Sequence, residues 1–166
     1  MKKKYDYALV SGGFDPVHVG HLRMFQDAKK LSNRVIVLLN NDEWLIKKKG
    51  KPFMPLRERM MLVQALKPVN LTIKSIDEDQ TVCATLKFVN EMYRNKFDKI
   101  IFCNGGDLTK YNITEMEVEA ITFEFGVAGE DKTNSSSWIL KNFQYEREAV
   151  SYTHLRAHET PEHLVC

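Results

Sequence analysis

No run in this 166-residue chain is apolar for the roughly 20 residues a membrane helix needs. Three lysines open the chain, but only Ala8 to Val10 follow as an apolar run, too short for the apolar region of a secretory signal. Cytoplasmic residence is therefore the expectation. Cysteine is scarce: Cys83, Cys103 and Cys166 match no zinc or thioredoxin spacing, and an odd count argues against a disulfide framework. Cys83 and Cys103 lie in apolar runs and read as core thiols of a reducing compartment. An excess of one charge is also lacking. A net charge of +2 gives no argument for a nucleic-acid or membrane partner.

What is present is a 43% hydrophobic share, enough for one packed domain. β-branched apolar runs alternate with helical periods. Strands are predicted over Tyr7–Ser11, Arg34–Leu39, Leu71–Ile76, Lys99–Cys103 and Ile121–Val127. Helices are predicted over His18–Leu31, Pro55–Leu66, Val82–Arg94 and Ser135–Phe143, with proline in the first turn of the second. Thr114 and Glu117 have the spacing of a capping box before a short helix. This alternation implies an α/β domain: a Rossmann-like, doubly wound, parallel five-stranded sheet with helices on both faces. Ligands of such sheets bind beyond the carboxyl ends of the strands.

The pattern stops near Ala149. The closing SYTHLRAHETPEHLVC has neither period, and it resembles a translated sequencing adaptor. The expected division is a domain over 1–148 and a disordered, dispensable, non-native tail over 149–166. Three of the five histidines, His154, His158 and His163, fall in that tail, leaving His18 and His21 in the domain.

The first strand runs into Ser11-Gly12-Gly13-Phe14-Asp15-Pro16-Val17-His18-Val19-Gly20-His21. Glycines let a backbone approach a ligand closely, and the N-terminus of the next helix aims N–H groups at the same place, a site suited to phosphate. His18 and His21 are three apart and share a helix face. Gly20 between them leaves room for a nucleotide against the helix.

On these residues the chain resembles the cytidylyltransferase-like nucleotidyltransferases that carry a His-x-Gly-His signature, over about Tyr5 to Phe143. It is most similar to the sugar- and polyol-phosphate members, such as heptose-1-phosphate adenylyltransferase and glycerol-3-phosphate cytidylyltransferase. Further segments fit in order. Asn41-Asp42-Glu43 resembles a Ser/Thr-Asp-Glu turn, and Lys48-Lys49-Gly50-Lys51-Pro52 a lysine-bearing phosphate loop. Pro55 to Met60 resembles a helix start that presents an arginine, here Arg59. Asp77-Glu78-Asp79 resembles a Glu-Glu-Asp segment, which could equally be a solvated loop. Asn104-Gly105-Gly106-Asp107 resembles a Lys-Gly-Gly-Asp turn with Asn104 for the lysine, and Ser135-Ser136-Ser137 a Ser-Thr-Thr helix start.

The resemblance implies an enzyme that transfers a nucleoside monophosphate, AMP from ATP being favoured, to a sugar- or polyol-phosphate with release of pyrophosphate. It implies catalytic roles for His18, His21, Lys48 and Arg59. Nucleotide binding would fall to Gly13, Phe14, His18, Gly20, His21, Gly106, Asp107, Ser135, Ser136 and Ser137. Lys48, Lys49 and Lys51 would hold the acceptor phosphate. Mg²⁺ would arrive with the triphosphate and need no protein ligand. The partners are then a nucleoside triphosphate and a small phosphorylated acceptor, with a homodimer left open. Two alternatives stand beside this: a CTP-dependent transferase of the glycerol-3-phosphate type, and a non-catalytic nucleotide-binding module.

Overall fold

The computed structural model describes residues 3–93, 99–105, 108–129 and 134–143. The expected tail over 149–166 lies outside them. Five strands form one sheet: β1 (Tyr5–Gly12), β2 (Ser32–Leu39), β3 (Leu71–Lys74), β4 (Ile100–Cys103) and β5 (Thr122–Glu124). Their order is β3-β2-β1-β4-β5, and every neighbouring pair is parallel. The helices are α1 (Val19–Leu31), α2 (Asp42–Lys49), α3 (Leu56–Gln64), α4 (Cys83–Tyr93) and α5, over residues 136–143.

Strand alternation sorts the core into two layers. Val35, Val37 and Leu39 of β2 pack with Phe25 and Ala28 of α1 and Val63 of α3. Ile36 and Leu38 pack on the opposite face with Leu86 and Val89 of α4. Because both faces are covered, β2 is a continuous apolar run rather than an alternating one. Each fully buried Leu or Ile in these layers contributes about 1.5–3 kcal/mol. The expected Rossmann-like sheet with helices on both faces is the fold observed. The chain winds outward from β1 to β3 on one side and resumes at β4 on the other. The crevice at the carboxyl end of β1 is thus the switch point where ligands of such sheets bind.

Three local expectations change. Residues 42–49 form a helix, α2, where a turn and a lysine loop were expected. Asn41 caps it by accepting from the Trp44 amide at 2.8 Å. Gly50, at φ 86°, ends it in the left-handed region, where glycine carries no steric penalty. Pro55 is the N-cap of α3 rather than a first-turn residue, consistent with its lack of an N–H. Thr114 makes no capping box: it begins a single 3-10 turn, Thr114–Glu117, whose cap position is Ile113. Cys103 is buried in the sheet and Cys83 is half-buried, both as free thiols.

Candidate functional site

A cleft of about 410 Å³ opens at the switch point, between the carboxyl ends of β1, β2 and β4 and the first turns of α1 and α5. His18 is the N-cap of α1, in extended geometry, and its Nδ1 accepts from the Gly20 amide at 3.1 Å. His21, one turn on, accepts at Nδ1 from the His18 amide at 3.2 Å. The two histidines therefore form the capping box of α1, a task usually given to Ser/Thr and Glu. Their rings stack with centroids 3.7 Å apart. The edge of Phe14 meets His21 at 4.9 Å.

This geometry fixes the protons. An Nδ1 that accepts a hydrogen bond puts the proton of a neutral imidazole on Nε2. Burial, then the nearby charges of His18 and Lys49, lower His21 to about 3. Burial and then Lys49 lower His18 as well. At neutral pH the cleft thus holds two uncharged imidazoles with Nε2–H available as donor, beside the positive end of a helix dipole. Gly20 lines the cleft and has a second, structural use. A Cβ there would lie 3.0 Å from the His18 ring, so the glycine makes room for that ring to fold back as a cap.

The depressed pKa has a consequence for stability. Below about pH 6.5 the unfolded chain protonates His21, whereas the folded chain does not until about 3. The stability this group contributes is full above 6.5 and is lost as the pH falls through that window. Urea unfolding at about pH 7.5 and about pH 4.5 should therefore show a larger loss for the wild type than for His21→Asn. Equal losses would refute this coupling.

The other expected site residues divide. Lys48 lines the cleft with its ammonium 4.5 Å over the Trp44 ring. Lys49 also lines it, its ammonium donating to the Asp15 carbonyl at 3.0 Å. Both stand on the last turn of α2 and not in a loop. Lys51 is exposed beyond the cleft. Phe14 lines the cleft but is buried, packing on His21 and Phe25. Ser135 spends its hydroxyl capping α5, accepting from the Trp138 amide at 3.1 Å. The Ser136 hydroxyl donates to the Pro16 carbonyl at 2.8 Å. What this serine run offers a ligand is the Ser136 and Ser137 amides in the first turn of α5, which have no intrahelical acceptor. Gly106 and Asp107 lie outside the described residues.

Arg59 is the main correction. It is fully buried and does not reach the cleft. Its guanidinium donates to the carbonyls of Met54, Gly13 and Asn40 and pairs with Asp42. Four donors are thereby used, and the side chain ties the turn after β1 to the starts of α2 and α3. Asp77 is likewise buried rather than solvated. It accepts from the Ala84 and Thr85 amides at 2.7 and 3.1 Å, in the first turn of α4.

Sequence reasoning missed two groups. The Asp15 carboxylate is fully buried and accepts from the Phe53 and Met54 amides, each at 2.8 Å, clamping the 51–54 loop beside the cleft. Asn40, Trp44 and Asn104 line the cleft, and each holds a buried polar atom without a hydrogen-bond partner: Oδ1, Nε1 and Nδ2 respectively. The position of both asparagines directly after strand ends is the signal that could have found them.

The described lining of the cleft includes Arg23, Lys48 and Lys49 and no Asp or Glu. Such a lining suits a polyanion. Cys103 also borders it, but burial pushes its thiol up to about 12, so it stays protonated and is no nucleophile at neutral pH. Among the described residues no group of three His, Cys, Asp or Glu is placed to hold a metal, and no helix is long and apolar enough to cross a membrane.

Known proteins resemble this chain in sequence and in fold. A family model described as cytidylyltransferase-like matches residues 9–158. The FAD synthase of Ferroglobus placidus is 39% identical over 79 residues, 48% of this chain and 49% of the relative. The bifunctional protein HldE of Blochmanniella floridana is 40% identical over 107 residues, 63% of this chain and 20% of the relative. The crystal structure of the lipopolysaccharide core biosynthesis protein from Thermoplasma volcanium GSS1 has a TM-score of 0.55 at 25% identity, covering 76% of this chain and 99% of that one. The chain spans about half the length of the FAD synthase and a fifth of the bifunctional protein.

Proposed function

The chain belongs to the cytidylyltransferase-like family of nucleotidyltransferases, and from that premise we propose that it transfers AMP from ATP to a sugar- or polyol-phosphate and releases pyrophosphate. The observation that carries this reading is the histidine pair. Two neutral imidazoles, each locked at Nδ1 and offering Nε2–H, stand at a helix N-terminus in a cleft whose described lining has cations and no carboxylate.

The chemistry asked of such a site is modest. An oxygen of the acceptor phosphate attacks the α-phosphorus, a new P–O bond forms, and the bond to the bridging oxygen of pyrophosphate breaks. The acceptor phosphate is already anionic, so no base need remove a proton. Positioning and stabilisation of developing charge are what remains. His18 and His21 donate to the α-phosphate and the bridging oxygen. Lys48 and Lys49, at the other side of the cleft, hold the acceptor phosphate or the outer phosphates. Magnesium would neutralise part of the triphosphate charge. With no carboxylate in the described lining, it would be held by phosphate oxygens and water. The reading places the enzyme in the cytoplasm, where Cys83 and Cys103 remain reduced.

ATP is assigned over CTP from sequence. The spacing from Gly50-Lys51-Pro52 to Arg59-Met60, and the Gly105-Gly106-Asp107 turn, resemble adenylyltransferases, and the arginine of the cytidylyltransferase signature is absent near Glu130. A matrix of four triphosphates against a panel of sugar and polyol phosphates, read by pyrophosphate release, tests both parts. ATP should support the fastest turnover. Faster turnover with CTP for every acceptor overturns the choice of nucleotide. Tight triphosphate binding with no pyrophosphate release for any pair overturns the enzyme and leaves a binding module.

A further inference from the structure

Asn40, Trp44 and Asn104 border one cleft, and each carries a buried polar atom without a partner. Asn40 and Asn104 are each only 4% exposed. They stand one residue past the ends of β2 and β4, the two strands that flank β1. Their backbones are paired: the Asn40 amide donates to Gly12 and the Asn104 amide to Glu124. Only the side chains are left wanting. Trp44 faces the same cleft from α2, one turn before Lys48. Its ring is already used by the Lys48 ammonium, while its N–H is not.

A buried polar group without a partner costs its full desolvation, so a fold keeps one chiefly where something else completes it. The three atoms share a character. All belong to neutral groups, and together they offer an acceptor and two donors. An asparagine amide supplies both kinds whichever way it is turned. Charged partners do not fit that wall. An ammonium would find no carboxylate in the described lining, and a second phosphate would be better served by the lysines. A hydroxyl, which donates once and accepts twice, fits all three.

We infer that Asn40, Trp44 and Asn104 form the wall that reads the free hydroxyls of the acceptor, whose phosphate is gripped by the α2 lysines. The inference rests on the transferase reading and adds to it the residues that select the acceptor's hydroxyls. The wall discriminates against acceptors lacking those hydroxyls, because they bury its polar atoms and leave them unpaired.

The test compares phosphates matched in carbon number: glycerol 3-phosphate with propyl phosphate, ribose 5-phosphate with pentyl phosphate, and glucose 1-phosphate with cyclohexyl phosphate. Binding to the wild-type protein, loaded with Mg²⁺ and a non-hydrolysable ATP analogue, is measured by calorimetry, and pyrophosphate release is measured separately with ATP. At least one polyol phosphate should bind tenfold or more tighter than its alkyl counterpart. Trp44→Phe keeps an aromatic ring for the Lys48 ammonium but removes the N–H together with the five-membered ring that carries it, and should weaken that binding by roughly tenfold, the equivalent of ~1.4 kcal/mol. Asn104→Ala should do likewise, with affinity for the ATP analogue and the melting temperature unchanged in both. Equal binding of polyol and alkyl phosphates by the wild type overturns the inference. So does a preference that survives in both variants, as it would if ordered water completes these atoms. A loss of ATP-analogue affinity in place of acceptor affinity also overturns it, by assigning the wall to the base. Pyrophosphate release with equal use of polyol and alkyl acceptors sinks the wall and leaves the transferase. Selective polyol binding without pyrophosphate release sinks the transferase and leaves the wall.

Discussion

His21→Ala is expected to lower turnover by on the order of a hundred- to a thousand-fold, the usual cost of losing one preorganised donor to a developing charge. The KM for either substrate should change far less, because the bond strengthens as charge builds at the bridging oxygen. The structure supplies a complication and a control. His21 Nδ1 also accepts from the His18 amide, so alanine removes half of the α1 cap, worth about 1 kcal/mol. His21→Asn can keep that acceptor through its amide oxygen. If Asn restores the melting temperature but not the rate, the loss belongs to the Nε2–H. His18→Ala should behave in parallel. Turnover within a few-fold of wild type in both alanine variants would remove the histidines from the chemistry, and with them the proposed mechanism.

Arg59→Met is expected to act on the fold. Methionine fills much of the volume but leaves the Asp42 carboxylate and the carbonyls of Gly13, Asn40 and Met54 without their donor. Asp42 is partly exposed and keeps the Leu56 amide, so the loss lies mainly in the three carbonyls left without a donor, at about 1–3 kcal/mol each. In a domain of this size that lowers the melting temperature by roughly ten degrees or more. Arg59→Lys should rescue little, since one ammonium cannot reach acceptors arranged around a planar fork. Thermal melts and urea unfolding read the effect. A variant that melts like wild type but shows a raised KM for phosphate-bearing substrates would return Arg59 to the role its sequence position suggested.

The contrast between His21 and Arg59 shows where sequence reasoning reaches. The strands were readable because β2 and β4 are covered on both faces and so are written as unbroken apolar runs. The histidine pair was readable because both residues stand within one helical turn, and sequence spacing decides what a turn brings together. The burial of Arg59 was not readable, because its acceptors come from three separate segments, around Gly13, Asn40 and Met54. No local pattern announces that convergence, and an arginine beside glutamates ordinarily reads as surface. Helix α2 escaped notice because it buries only Leu45, so it has no apolar stripe, and its lysines look like loop. The serine run before Trp138 was legible as a helix start, but which hydroxyls the cap would consume was not.

The capping box made of two histidines also bears on how this protein can change. Active-site residues are commonly a burden on the fold, so that replacing them gains stability as activity is lost. Here the same two rings close the helix through Nδ1 and line the cleft, so under the proposed mechanism one nitrogen serves each task. Under the proposed mechanism, a sequence that loses both imidazoles loses the α1 cap along with the reaction, unless another capping side chain takes their place.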